Sequence, residues 1–143
     1  MSKPLILVSN DDGYYSMGIR ALMRALAPLG EVVVAAPATD ESAISDAISL
    51  NRPLRLNQQP SITEQGQEIK IYSIDGTPTD SVYMGVHYVL KGRQPDLMVS
   101  GINHGANLGY DVLYSGTVSA AMEAAMLGIT SVAVSLVSLH GYN

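Results

Sequence analysis

Two short, uninterrupted apolar runs flank an amphipathic segment near the start of the chain, and this arrangement constrains the fold most. The runs lie in Leu5–Val8 and Glu31–Pro37, and polar residues or proline end them. Such runs are typical of strands buried on both faces of a parallel sheet. Between them, apolar residues from Ile19 to Leu29 recur at helical spacing, and Gly30 stands where a helix should stop. The chain therefore opens with one βαβ unit.

The rest of the chain continues to alternate between strands and helices. The expected elements are a loop at 38–50, a short strand or hairpin within 53–68, a strand at 69–74, a turn at 75–78 followed by a helix, a strand at 96–101, a loop at 102–114, a helix at 117–126 and a buried strand at 131–136. This alternation predicts an α/β fold, with an open, mostly parallel sheet and helices on both faces.

The composition favours one folded domain over residues 1–143. Hydrophobic residues make up 47% of the 143 residues, which is enough for a core. Aliphatic and methionine side chains must supply most of its volume, because the chain has eight Tyr but no Phe or Trp. We therefore expect Met17, Met23, Met98, Met122 and Met126 to lie on core faces.

Charge and cysteine content exclude several classes of protein. The net charge is −5 and only eight Lys and Arg are present, which disfavours a face that binds a nucleic-acid duplex. The chain has no cysteine, so disulfides, thiolate zinc sites and cysteine nucleophiles are excluded. No apolar run approaches the roughly 18 residues of a membrane span. We expect a soluble, cytoplasmic chain.

Two adjacent carboxylates, Asp11 and Asp12, directly follow the first predicted strand. Ligands of open α/β sheets bind outside the carboxyl ends of the strands. Adjacent carboxylates repel each other, and a hard divalent cation such as Mg²⁺, Mn²⁺ or Ca²⁺ relieves that repulsion. The alternative is that one aspartate caps the next helix while the other is solvated. The pattern alone leaves both interpretations open.

A second group of candidates surrounds the start of the helix at 117–126. Hydroxyls and free amides at 115–117 suit phosphate binding at a helix N-terminus, although the pattern by itself favours an ordinary serine or threonine cap. Asn103 and Asn107 could direct amides towards a metal or phosphate, or could be turn residues. His104 is a weaker candidate for contact with substrate. The stretch 76–80 is expected mainly to begin and cap a helix.

Four stretches carry a family resemblance: ILVSNDDG at 6–13, GTPTD at 76–80, PDLMVSGIN at 95–103 and NLGYDVLYSGTV at 107–118. In this order and spacing they resemble the SurE family of metal-dependent nucleoside-monophosphate phosphatases. The resemblance implies a Rossmann-like three-layer α/β/α fold, a divalent cation (Mg²⁺ or Mn²⁺, or Ca²⁺ in a crystal), and, for the full-length family, a homodimer or homotetramer. The implied substrates are 5′- and 3′-nucleoside monophosphates and, for some members, short polyphosphate.

The resemblance also implies roles for residues at the matching positions. The implied catalytic residues are Asp11 and Asp12, the metal ligands are Asp11, Asp12, Ser42 and Asn103, and the phosphate-binding residues are Asn107, Ser115, Gly116 and Thr117.

Two departures from the family pattern stand out. Ala43 follows Ser42 where the family has glycine, and family chains are substantially longer. We therefore expect a truncated chain that lacks the C-terminal part of the family fold, or one whose last strand a partner covers.

Two other functions compete with phosphatase activity. A noncatalytic metal- or nucleotide-binding fragment would bind ligand without releasing phosphate. A receiver-type signalling domain also places paired acids after its first strand, but it needs a lysine at the end of its fifth strand. No lysine follows Lys91, which disfavours the receiver.

Overall fold

A computed structural model of the chain describes residues 3–39, 52–104 and 115–137. The described elements, in chain order, are β1 (Leu5–Ser9), α1 (Met17–Leu26), β2 (Glu31–Pro37), β3 (Leu56–Glu64), β4 (Gln67–Ile74), α2 (Pro78–Met84), a π-helical turn (Gly85–Val89), β5 (Leu97–His104), α3 (Gly116–Met126) and β6 (Ser131–Leu136). The loop predicted at 38–50 and most of that predicted at 102–114 lie outside the described residues.

The six strands form one sheet in the order β3-β4-β2-β1-β5-β6. The pairings β1–β2, β1–β5, β2–β4 and β5–β6 are parallel, and only β3 runs antiparallel to its neighbour. The predicted open, mostly parallel α/β sheet is therefore confirmed. β1 lies at the centre of the order, so the residues that follow it emerge in the middle of one sheet edge.

Alternation along the strands divides the core into two layers. Ile6 and Val8 of β1 pack with the buried face of α1. Leu5 and Leu7 belong to the opposite layer, which contains Ala120 of α3 as well as residues of α2. Helices thus cover both faces of the sheet, and the side of β1 that carries Leu5 and Leu7 faces the layer formed by α2 and α3.

The first helix begins as the spacing predicts but ends earlier. The Ser16 hydroxyl caps α1 by accepting from the Ile19 amide, and the helix ends at Leu26. Pro28 has no N–H with which to continue the ladder, and the Leu29 amide instead closes a turn onto the Leu26 carbonyl at 2.8 Å. Leu29 is 63% exposed, so its predicted place on the buried face is wrong.

The stretch 53–68, expected to hold a short strand or a hairpin, contains β3 and the start of β4, and the strand expected at 69–74 forms the rest of β4. The two strands are joined at Gln65 and Gly66. Both turn residues have positive φ, at 51° and 79°, as a tight hairpin turn requires. Glu64, buried at the end of β3, accepts from Arg20 Nε at 3.2 Å and Arg24 Nε at 3.1 Å. These two bonds tie the hairpin to α1.

The register of β3 with β4 shifts between Gln59 and Ile62, and Pro60 lies at this irregularity. Among the strands that the structure describes, β3 forms one edge of the sheet and β6 the other. The strand at the irregular edge therefore does not present an even ladder to solvent.

Three other expectations were wrong. β5 continues to His104, three residues into the segment expected to be loop. β6 was expected to be buried, but Val132 and Leu136 are exposed because β6 is a sheet edge in the described part of the chain. Met23 and Met98 are in the core, whereas the remaining predicted core methionines are exposed on the outer faces of their helices: Met17, Met122 and Met126.

Among the described residues, no helix combines the length and the apolar character that crossing a membrane requires.

Candidate active site

The centre of the sheet edge is formed by the carboxyl ends of β1 and β5. Ser9, the last residue of β1, is the register partner of Ser100, which lies in the middle of β5, so β5 continues past the end of β1. Asp11 and Asp12 follow β1 within two residues, and Asp11 is only 6% exposed while Asp12 is half-buried. The fold therefore places the first candidate carboxylate inside the protein rather than in solvent.

Asn10 fixes the loop that carries both aspartates. Its Nδ2 donates to the Gly13 carbonyl at 2.8 Å and to the Ser16 hydroxyl at 2.9 Å, while its Oδ1 accepts from the Gly13 amide at 3.2 Å. Gly13 has φ +111°, a conformation that side chains rarely tolerate. Asn10 is not among the site residues expected from the sequence. Asparagine at the first position of a four-residue turn that ends in glycine is nevertheless a common turn pattern.

The N-terminus of α3 lies against Asp11, the first acid after β1. Ser115 is the N-cap of α3, and its hydroxyl accepts from the Val118 amide at 3.3 Å. A Cβ on the next residue, Gly116, would overlap the Asp11 carboxylate. The carboxylate thus lies against the first turn of α3, where free amides and the helix dipole favour negative charge. Two candidate groups that are far apart in the sequence are brought together here.

The stretch 76–80 forms a wall beside this contact. Thr77 accepts from the Asp80 amide at 3.0 Å and donates its own amide to the Asp80 carboxylate at 2.8 Å, a complete capping box. The expected helix start is therefore confirmed. Pro78, the first residue of α2, also lies close to Gly116, because a Cβ there would stand 2.9 Å from the proline ring.

Three fully buried hydroxyls lie in the same region. The side-chain oxygens of Ser9, Ser100 and Thr117 have no hydrogen-bond partner among the residues that the structure describes. Of these three residues, only Thr117 is among the site residues expected from the sequence. Buried polar groups are normally paired, so unpaired hydroxyls beside a carboxylate indicate a place for a polar ligand or water.

The remaining predicted residues are less closely placed. Asn103 is half-buried near the end of β5, opposite Ser135 of β6, and His104 is exposed at the last position of β5. Ser42 and Asn107 lie outside the described residues. The structure therefore gives no position for one predicted metal ligand and one predicted phosphate ligand.

The described donors have the chemistry that a hard cation requires. Across 3–39, 52–104 and 115–137, no three His, Cys, Asp or Glu side chains form a group that could hold a metal ion. The available set is the paired carboxylates of Asp11 and Asp12, with hydroxyl and amide oxygens nearby. All-oxygen donors suit Mg²⁺ or Mn²⁺ rather than a soft thiophilic metal.

The protein is an open α/β sheet with acids at the centre of one edge, next to a helix N-terminus. This combination of fold and site defines its structural class. The family model described as Survival protein SurE matches residues 6–142. The chain therefore belongs to the SurE family, and the receiver-type alternative loses its support.

Similar proteins agree with this assignment. The chain is 52% identical to "5′-nucleotidase SurE" of Myxococcus xanthus over 96% of its own length and 50% of the relative's. It is 51% identical to the protein of that name from Vibrio cholerae, over 94% of this chain and 48% of the relative. A crystal structure of SurE protein from Aquifex aeolicus has a TM-score of 0.80 and 44% identity, covering 94% of this chain and 52% of that one. The chain spans about half the length of the curated relatives it matches.

Proposed function

We propose that this chain carries the metal- and phosphate-binding centre of a nucleoside-monophosphate phosphatase. The observation that carries the proposal is the contact between Asp11 and Gly116, which joins a candidate metal carboxylate to a candidate phosphate-binding helix end. The relatives named 5′-nucleotidase support nucleoside 5′-monophosphates as substrates. Activity on 3′-monophosphates and short polyphosphate, and assembly into a homodimer or homotetramer, belong to the same proposal through the family resemblance.

Asp11 and Asp12 would hold Mg²⁺ or Mn²⁺, with Ser42 and Asn103 as further ligands. A divalent cation supplies Lewis acidity towards a phosphoryl group. Because Asp11 is almost fully buried, its charge needs a nearby positive partner, and both the cation and the start of α3 meet that need. The first role of this carboxylate is therefore to bind and orient the cation at the helix end.

The first turn of α3 would bind the phosphate. The amides of Gly116 and Thr117 are in the first turn and point out of the helix end, and the Thr117 hydroxyl is unpaired among the described residues. Ser115 contributes by capping the helix and Asn107 by its amide. Donors fixed in this way favour the added negative charge of a phosphoryl transition state. Asp11 or Asp12 would take the proton of the attacking water.

The test is phosphate release from AMP and GMP with Mn²⁺, with Mg²⁺ and with chelator. We expect release that requires the metal and falls at least a hundredfold in Asp11→Asn. Asp75→Asn is the matched control, because Asp75 is exposed and pairs with Arg52 at 3.7 Å. Equal release with chelator, or an undiminished rate in Asp11→Asn, would contradict the proposal.

The half-length match favours a second candidate function. The chain covers 50% of the Myxococcus xanthus relative, so residues from the other half can contribute to turnover. In that case this chain would bind Mn²⁺ and AMP without releasing phosphate. Calorimetric binding of both ligands, together with no phosphate release, would support the noncatalytic alternative.

A further inference from the structure

The buried hydroxyls of Ser9 and Ser100 have no role in the proposed function. Both residues are completely buried, Ser9 at the end of β1 and Ser100 beside it in the middle of β5, and neither hydroxyl has a hydrogen-bond partner in the described part of the chain. The Thr117 hydroxyl shares both properties. An unpaired buried hydroxyl destabilises a protein, so three of them in one region require an explanation.

The fold places these hydroxyls on one face of the sheet. Ser9 follows Leu5 and Leu7 at a spacing of two, and Ser100 follows Met98 in the same way. All three apolar residues belong to the core layer that contains α3. Because strand side chains alternate, Ser9 and Ser100 both face the layer formed by α2 and α3.

Thr117 faces the same layer from the other side. It precedes Ala120 by three residues and Ala124 by seven, and these spacings keep residues on one side of a helix. Ala120 and Ala124 are both buried in the core layer that contains Leu7 and Met98. Thr117 therefore faces the sheet near its carboxyl edge, one residue after Gly116, which touches Asp11.

We propose that the hydroxyls of Ser9, Ser100 and Thr117 enclose one buried water molecule that donates a hydrogen bond to the Asp11 carboxylate. A buried water normally makes two to four hydrogen bonds, and three rotating hydroxyls with one carboxylate provide that number. Ser9 and Ser100 are positioning residues, since they act on the metal centre through this water and Asp11. The positioning role rests on the proposed function, whereas the water itself does not.

Holding Asp11 in one orientation prepares it to bind a cation. Groups that hydrogen-bond to a metal ligand without touching the metal typically change metal affinity by ten- to a hundredfold when they are substituted. Ser9→Ala and Ser100→Ala each remove one bond to the water and leave Asp11 in place. We expect each substitution to weaken Mn²⁺ binding by about tenfold.

Ser73→Ala is the matched control. Ser73 is also buried in a strand, near the carboxyl end of β4, but its hydroxyl accepts from Gln59 Nε2 at 2.9 Å. It is therefore a buried strand serine whose hydrogen bond is already made within the protein. We expect Ser73→Ala to leave Mn²⁺ affinity within twofold of the parent chain, whatever it does to stability.

The test combines a high-resolution crystal structure of the 143-residue chain with calorimetric Mn²⁺ titration of the parent and the three variants. Circular dichroism first establishes that each variant folds. The expected result is a water within about 3 Å of the Ser9 and Ser100 hydroxyls and of Asp11, and weaker Mn²⁺ binding in Ser9→Ala and Ser100→Ala only.

Two results would overturn the inference. One is a structure in which these hydroxyls bond to other protein groups or enclose no water, and this readout needs no folded variant. The other is an Mn²⁺ affinity in both alanine variants equal to that of Ser73→Ala. If the water is present but the parent chain binds no Mn²⁺, the water site stands, while the proposed function and the positioning role built on it both fail.

Discussion

The carboxylate of Asp11 lies against the backbone of Gly116, so that a β1 strand-end acid and the first turn of α3 are in direct contact. Glycine is required at this position by close approach rather than by an unusual backbone angle, since any Cβ would overlap the carboxylate. The candidate site therefore depends on having glycine, which has no side chain, at position 116 as much as on the acids themselves.

Substituting Gly116→Ala should damage both the fold and the site. The added methyl group would overlap Asp11 and press on Pro78, and such overpacking typically costs about 1–3 kcal/mol of unfolding free energy. Alanine is the better helix former, so a loss of stability cannot come from helix propensity. Urea unfolding and Mn²⁺ titration measure the two effects. The control is Ser119→Ala in the same helix, and a Gly116→Ala chain as stable and as metal-competent as this control would contradict the contact.

Removing the Asn10 side chain should loosen the loop that carries the aspartates. Asn10→Ala leaves the buried Gly13 amide without its acceptor, and we expect a loss of about 1–3 kcal/mol in unfolding free energy. Mn²⁺ affinity should fall as well, because Asp11 and Asp12 follow Asn10 directly. Asn10→Asp keeps the acceptor but places a buried carboxylate against the Gly13 carbonyl oxygen and beside two other acids, so it should destabilise the chain at least as much as Asn10→Ala. Asn57→Ala, at an exposed position of β3, should change neither quantity.

Glu64 should make stability depend on acid pH. Hydrogen bonds from Arg24 and then Arg20 lower the pKa of this carboxyl below its ordinary value of 4.5, against the opposing effect of burial. A lowered folded pKa means that the stabilisation is complete above about pH 4.5 and is lost as the pH falls through the folded value.

The measurement is the difference in unfolding free energy between the parent and Glu64→Gln across pH 2–7. This difference should be constant from about pH 6 to 7 and should shrink below about pH 4.5. Glu68→Gln, at an exposed site of the same hairpin, is the control. A difference that grows as the pH falls would have the wrong sign for the Arg20–Glu64–Arg24 cluster.

Removing the N-cap of α2 should weaken Mn²⁺ binding at the candidate site. Thr77→Ala removes the acceptor for the Asp80 amide and should cost about 1 kcal/mol. Because Pro78 lies beside Gly116, the looser helix start should also weaken Mn²⁺ binding, although Thr77 is not a proposed ligand. Thr130→Ala, at an exposed position before β6, is the control. An unchanged Mn²⁺ affinity in a folded Thr77→Ala chain would show that the start of α2 does not affect metal binding at the site.

Local patterns were sufficient to predict most of the fold. The apolar runs at β1 and β2 and the spacing of α1 depend on neighbouring residues, and the structure follows them closely. Leu29 was misplaced because apolar spacing continued past Pro28, where the backbone loses a donor. Met122 and Met126 were misplaced because composition gives no direction on a helix, and only the position of α3 shows which side is solvent.

The candidate site was predictable in parts but not as a whole. Asp11 and Gly116 were each named from local motifs, yet only the parallel order of the strands brings them into contact. Ser9 and Ser100 lie within the family stretches at 6–13 and 95–103 but receive no role from the sequence, because a serine in a strand is ordinary. Their significance depends on which partners they lack, and that is a property of packing rather than of spacing.

The two edges of the sheet differ in their capacity to accept a further strand. At β3, the register shift beside Pro60 interrupts the row of backbone donors that an incoming strand would need. The pairing of β6 with β5 also shifts register, between Ser100 and Asn103, but there the extra residue lies in β5 and not in β6. The described run of Ser131–Leu136 contains no proline, and its Val132 and Leu136 side chains are exposed. A strand of another molecule would therefore pair more readily with β6 than with β3.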